Sequence, residues 1–327
     1  MDMVYTDTGG TEVGILQSFQ LDLAYGEDEN DFSVKIPYGL PIGEGSLCYI
    51  DDTEWGGIVR GFREDATEKP SKLYAVGQTW HGLLAETVLC PPAGATHITF
   101  KGEANEAIAY VLRLTGRDIL FSAEAAPSGM VVDYQFDRFC TLYDGLRKML
   151  SQIGGKLKIA KEPGQKPKLY AAPATDYTDG ERALRAGYIA ERVRPVNHLV
   201  CTGEGEDDER IVIHLYADEE GGISRAQTLF GAQERAAHYD YTSADESKLI
   251  EDGTKRLKEM QESASLEIKL PSGTPLDVGD KVGIVSEQAD IEVSADVSKV
   301  IVVIGETGKP SISYKTSAND SMLYTKG

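Results

Sequence analysis

The chain has 327 residues, 41% hydrophobic and 26% charged, which is enough for two or three domains with cores of their own and excludes wholesale disorder. Against 53 Asp+Glu stand only 33 Lys+Arg, a formal charge of −20. Sequence-specific nucleic-acid binding is excluded on that balance, because such affinity comes mainly from cations that displace condensed counterions; an acidic lumen through which DNA slides remains compatible.

The opening Met1-Asp2-Met3-Val4-Tyr5-Thr6-Asp7 has neither the basic nor the apolar part of a secretory leader. The run Val300-Ile301-Val302-Val303-Ile304 is too short to span a bilayer, so membrane insertion is not expected. Cys48, Cys90, Cys140 and Cys201 are scattered without metal or redox spacing and read as ordinary thiols made in a reducing cytoplasm.

From the N-terminus, Phe19–Leu23 alternates, an acidic turn from Gly26 to Asp31 follows, and Phe32–Ile36 resumes the alternation until Pro37. Leu47–Ile50 and Trp55–Val59 are two further strands, and Trp80–Leu89 reads as a turn or short helix. Short strands between turn residues point to a small barrel or sandwich. Cys90-Pro91-Pro92-Ala93-Gly94 marks an expected domain boundary. Ala104, Ala107, Ile108, Val111 and Leu112 recur at helical spacing and stop at Thr115-Gly116. Thr141-Leu142-Tyr143-Asp144 has the form of a capping box, with Asp in place of Glu. It leads a stripe of Leu142, Leu146, Met149, Leu150 and Ile153 that ends at Gly154-Gly155. Lys156–Ile159 alternates as a strand, and Lys168–Tyr170 is expected to pair with it.

Asn197–Cys201 and Arg210–Leu215 are strands joined by the acidic loop Gly203–Glu209. Ser243-Ala244-Asp245-Glu246 reads as a second capping box, opening a helix with Leu249, Ile250, Gly253, Leu257 and Met260 on one face. Strands at Leu266–Leu270, Lys281–Val285 and Ser298–Ile304 follow, the last entering a hairpin to Ser311–Tyr314. The expected class is β-rich α+β: two small β-barrel-like domains, 1–92 and 188–320 (the second with one long helix), flanking a compact α+β domain at 93–187, with a tail at 321–327.

No catalytic, cofactor-binding or metal-binding residue emerges. Gly305-Glu306-Thr307-Gly308-Lys309-Pro310 lacks the first glycine and the hydroxyl of a phosphate loop and reads as a hairpin turn. Gly203-Glu204-Gly205 lacks the third glycine of a dinucleotide fingerprint and is followed by charges that repel pyrophosphate. His81, His97, His198, His214 and His238 form no i, i+4 pair. His198 and His214 can meet across a sheet, with half-buried strand histidines the favoured reading over a ligand pair. The clusters Glu27–Asp31 and Glu204–Glu209 lack the pattern of a hand-type calcium loop and read as solvated turns. With 53 acids, some carboxylate pair is always close, which makes such pairs uninformative.

One composite order is more specific. Glu29-Asn30-Asp31-Phe32 stands between the first two strands, and far later comes the helix Glu246–Leu257. After it follow Ala264-Ser265-Leu266-Glu267-Ile268, then Leu276-Asp277-Val278-Gly279-Asp280-Lys281-Val282-Gly283, then Val297-Ser298-Lys299-Val300-Ile301. This order, with the helix Thr141–Ile153 running through Gly-Gly into a strand, resembles the hub proteins of siphophage and contractile tails, including those of defective prophages, over nearly the whole chain. Asp277-Val278-Gly279-Asp280 by itself is a strand-entry turn, with glycine free for positive φ and aspartates capping N–H groups.

The resemblance implies a structural protein of a virion or phage-tail-like particle, assembled in the bacterial cytoplasm, with no cofactor and no enzymatic activity. It implies a homotrimer whose two barrels per subunit make a pseudo-sixfold ring. The implied partners are the hexameric tail tube or tube initiator, a threefold spike or fibre, and the tape-measure protein. Many siphophage hubs continue into long C-terminal extensions, whereas here the sequence ends soon after Tyr314. Lytic or receptor-binding tasks are therefore expected on another polypeptide, as in contractile tails with a separate spike. The competing readings are a cell-wall hydrolase, which needs a catalytic cleft, and a glycan- or receptor-binding module, which the 16 tyrosines could serve.

Overall fold

The computed structural model describes residues 1–67, 69–178, 188–189, 195–261, 266–268, 276–286 and 291–317. In chain order, β1 (Met3–Thr6), β2 (Glu12–Leu16), β3 (Gln20–Gly26), β4 (Asp31–Ile36), β5 (Leu47–Tyr49), β6 (Gly56–Asp65) and β7 (Lys72–Thr79) lead into α1 (Trp80–Ala85). β8 (Thr99–Glu103), α2 (Ala104–Leu114), β9 (Ser122–Ala123), β10 (Val131–Gln135), α3 (Leu142–Ser151), β11 (Gly155–Ala160), β12 (Lys168–Pro173) and β13 (Asp176–Tyr177) follow. Then come β14 (Tyr188–Ile189), β15 (His198–Thr202), β16 (Val212–Ala217), β17 (Ile223–Ser224), β18 (Ala236–Asp240) and α4 (Glu246–Gln261). The last strands are β19 (Leu266–Ile268), β20 (Lys281–Ser286), β21 (Ile291–Ile304) and β22 (Pro310–Ser317). The protein is thus mostly β-sheet with few helices, a β-rich α+β fold.

Two compact units account for these elements: Met1–Tyr188 with Ile268–Thr316, and Ile189–Glu267. This grouping differs from the expected three-part division. The C-terminal strands join the N-terminal ones, while β15–β18 and α4 stand as a unit of their own.

In the larger unit, strands run β3-β4-β7-β6-β5-β1-β2. Period-two alternation explains β4: Phe32, Val34 and Ile36 point inward and Asp31, Ser33 and Lys35 outward. The acidic β3–β4 turn is closed by Asn30, which accepts from Gly26 N–H and donates to Gly26 O, both at 2.9 Å. Strand β21 is long enough to serve two neighbours. Its first part pairs with β20, and Lys299–Ile304 pairs with β3, placing Val300, Val302 and Ile304 against Tyr25, Leu23 and Leu21. This apolar register draws the C-terminal strands into the N-terminal sheet. Gly26, at φ +134°, lies against Ser298 O where a Cβ would collide.

The helices cover the expected stripes. Ala104, Ala107, Ile108, Val111 and Leu112 of α2 and Leu142, Leu146, Met149 and Leu150 of α3 are buried, each large side chain contributing about 1.5–3 kcal/mol. Trp80, Leu83, Leu84 and Leu89 belong to the same cluster, and the backbone N–H of Leu89 donates to Cys140 O at 2.9 Å. The Pro-rich stretch at 90–94 is therefore no core boundary: α1 buries its apolar face with α3. Thr141 caps α3 by accepting from Asp144 N–H at 3.0 Å. Strands β11 and β12 pair as expected, in an antiparallel register that sets Lys158 opposite Tyr170.

In the smaller unit, β17-β16-β15-β18 form a sheet packed on one face by Leu249 and Leu257 of α4, against Leu199, Cys201, Ile213 and Leu215. The cap of α4 is Asp245, whose Oδ1 accepts from Lys248 N–H at 2.8 Å, rather than Ser243: the turn closes two residues later than the sequence pattern suggests. The phosphate-loop lookalike is a hairpin turn, with Gly308 N–H donating to Gly305 O at 3.0 Å.

Candidate functional site

Among the described residues of the larger unit, a set of buried ionisable groups surrounds the turn Asp277-Val278-Gly279-Asp280. Gly279 takes φ +93°, the left-handed conformation that glycine adopts at no steric cost. Asp280 Oδ2 accepts from Asp277 N–H at 2.8 Å, and Asp277 Oδ1 accepts from Val278 N–H at 2.7 Å. The outer oxygens of both aspartates face β11. Lys156 Nζ reaches Asp280 at 2.7 and 2.8 Å, and Thr175 N–H adds a third donor at 2.7 Å. Lys158 Nζ lies between Asp277 and Glu54 and pairs with both.

Behind this layer, His81 Nε2 sits 3.1 Å from Glu54 Oε2. Tyr25 stacks on the imidazole at 4.2 Å between centroids and donates its hydroxyl to Asp277 at 3.1 Å. His81, Glu54, Asp277 and Asp280 are all buried. Burial pushes the His81 pKa down to about 3, with Asp277 opposing. The ring is neutral at pH 7 and donates Nε2–H to Glu54, leaving Nδ1 without a partner among the described residues. Burial, together with the charge of Glu54, raises the Asp277 carboxyl to about 6 against the pull of Lys158. Burial likewise raises Glu54, Lys158 opposing. Burial works against the Lys158 ammonium too, but the two carboxylates outweigh it and hold its pKa up.

Two buried carboxylates share one ammonium beside the ring of Tyr25. The arrangement clamps the C-terminal turn to β11 and to the loop before β6. An open groove of about 510 Å³ lies elsewhere, lined by Phe19, Lys35, Tyr38, Leu73 and Glu306 among others. Among the described residues, no group of three or more His, Cys, Asp or Glu could hold a metal ion, and no helix is long and apolar enough to cross a membrane.

Sequence reasoning placed the turn and its capping aspartates but missed Glu54, His81, Lys156 and Lys158. The lysines read as the polar half of an alternating strand, and that pattern carries no mark of what covers the face. The suggested meeting of His198 and His214 does occur, with Nε2 and Nδ1 2.8 Å apart.

No known family matches the sequence, and no curated protein does. The chain is similar to solved phage and prophage tail proteins. Prophage tail protein gp18 from Listeria monocytogenes EGD-e is 13% identical, covering 100% of this chain and 96% of that one, TM-score 0.49. The 43 kDa tail protein of prophage MuSo2 from Shewanella oneidensis is 12% identical over 97% and 98%, TM-score 0.47. A tail protein from Neisseria meningitidis MC58 is 13% identical over 96% and 95%, TM-score 0.44. Likeness of this degree assigns no task to the chain.

Proposed function

We propose that this chain is a structural, non-enzymatic hub subunit of a phage or phage-tail-like baseplate. It forms a homotrimeric ring that adapts a hexameric tail tube, or its initiator, to a threefold spike or fibre of a contractile tail, with the tape-measure protein in the lumen. The two strand groups joined through β21 serve as the two barrel-like modules of each subunit, six around the ring. The observation that carries the reading is the clamp itself. Of the motif residues behind the hub resemblance, Asp277 and Asp280 are spent on tying the C-terminal turn to β11, and Asn30 on closing the β3–β4 turn. They act as scaffold and leave no catalytic set.

A second support is the edge strand β2, which ends the sheet path and exposes Val13 and Ile15. An unpaired apolar edge is a liability unless a neighbour covers it, and a closed ring supplies one. The acidic balance suits a lumen that neither DNA nor tape-measure protein sticks to, and the particle, assembled in the bacterial cytoplasm, is its place of work. Light scattering behind a sizing column tests the reading. A species of three 35.6 kDa chains, alone or on adding spike or tube protein, is expected; a monomer that stays monomeric with both partners refutes it.

A further inference from the structure

The open groove lies at one end of the strand group in the larger unit, where the start of β3, the end of β4 and the start of β7 meet the turn between β21 and β22. Its volume of about 510 Å³ falls within the about 300–1,000 Å³ usual for ligand sites. Most of its apolar lining is already covered: Phe19 and Ile36 are buried and Leu73 is half-buried. One broad apolar surface stays open, the ring of Tyr38, which is 57% exposed. That ring is held in place, because its hydroxyl donates to Glu64 at 2.9 Å and lies 2.8 Å from Ser71 Oγ.

The polar groups of the groove carry both signs of charge and both hydrogen-bonding roles. Gln20 Nε2 donates to Glu306 Oε1 at 3.2 Å, which leaves the Gln20 carbonyl and the second Glu306 oxygen as acceptors and one amide N–H as a donor. Lys35, opposite Gln20 in the β3–β4 register, adds an ammonium to the same lining. A carboxylate beside an ammonium disfavours a ligand that carries a single sign of charge. The lining matches a neutral molecule with one flat C–H face and a rim of hydroxyls. Polarised C–H groups are drawn to the negative face of an aromatic ring, and a hydroxyl, which both donates and accepts, satisfies amide, carboxylate and ammonium alike. A pyranose has this form. An extended apolar peptide does not suit it, since little apolar surface is open beyond the one ring.

We propose that this groove binds a neutral saccharide. A hexopyranose stacks its C–H face on Tyr38, and its hydroxyls bond to Gln20, Glu306 and Lys35. The contacts to Glu64 and Ser71 fix the ring before the sugar arrives, so less freedom is lost on binding. The site holds its ligand without making or breaking a bond. It is independent of the hub reading and would give a structural subunit a surface for glycans.

Calorimetric titration of the full chain with maltotriose, cellotriose and triacetylchitotriose, each alone, is the test. Saturable binding of at least one of them is expected, at one site per chain. Tyr38→Ala, at an exposed position, abolishes this binding. Glu306→Ala weakens it about two- to tenfold, the worth of a hydrogen bond. Phe139→Ala, which removes an exposed aromatic ring outside the groove, leaves it unchanged. Far-UV circular dichroism confirms that each variant is folded. No saturable binding of any of the three sugars, or undiminished binding in Tyr38→Ala or Glu306→Ala, overturns the proposal.

Discussion

Replacing Lys158 by Met tests the clamp where its electrostatics are most exposed to measurement. The substitution keeps the side-chain volume close but removes the ammonium that Glu54 and Asp277 share, leaving two buried carboxylates facing each other. Breaking a buried ion pair from one side costs about 3–5 kcal/mol, because the remaining charge stays out of water. That cost depends on pH, and its sign follows from linkage. Asp277, already raised to about 6 in the folded wild type, rises further without Lys158. A folded-state pKa above the unfolded value stabilises at low pH, and that stabilisation is lost as pH climbs through the folded pKa. Between the wild-type value near 6 and the variant's higher one, the folded variant holds one more proton than the folded wild type. The stability gap therefore shrinks by up to about 1.4 kcal/mol for each pH unit descended from 8 towards 6, and stays level below that. Both tryptophans, Trp55 and Trp80, lie in this unit, so urea unfolding followed by tryptophan fluorescence at pH 6, 7 and 8 reads it directly. A gap that is constant across that range, or below about 1 kcal/mol at pH 8, refutes the account. Adding Asp277→Asn to the variant reduces the pH dependence to the part that the buried Glu54 supplies.

Other positions follow from geometry. Gly26→Ala puts a Cβ at φ +134° against Ser298 O; strain of this kind costs about 1–3 kcal/mol before the clash is counted, and the same fluorescence transition moves to lower urea. Gly253→Ala places a methyl 2.7 Å from Cys201 Sγ and 2.9 Å from Leu215 Cδ1. Overpacking of about 1–3 kcal/mol outweighs the gain in helix propensity, so the helical circular-dichroism signal of the smaller unit melts earlier while the tryptophan transition holds. Asp245→Ala removes the cap of α4 and costs about 1 kcal/mol in that same melt, whereas Ser243→Ala leaves it within about 0.5 kcal/mol.

How far the sequence speaks depends on the distance over which each pattern acts. The α2 and α3 stripes, the Thr141 cap, the β11–β12 pairing and the Gly279 turn are written within a few residues of where they act, and alternation or helical spacing reveals them. The union of β21 with β3 is not: Val300-Ile301-Val302 reads equally well as a strand of any sheet, and only tertiary register selects Leu21, Leu23 and Tyr25 as its neighbours. The clamp is harder still, since Lys156 and Asp280 lie 124 positions apart. Alternation states that the lysines of β11 share a face and says nothing of what covers it, and the prior that lysine faces water points the wrong way. The His198–His214 meeting was legible because strand alternation and one acidic connection bring the pair together locally. Glu234, 2.6 Å from His198 Nδ1, comes from the approach to β18, which pairs parallel to β15, a crossover that no local pattern announces. The same logic separates the clamp from the His198–His214 contact. In the clamp, burial forces each charge to find a partner, so its residues are committed to holding the fold. On the solvent face of the small sheet, His214 stays exposed, and its contact with His198 lies outside the apolar packing on α4.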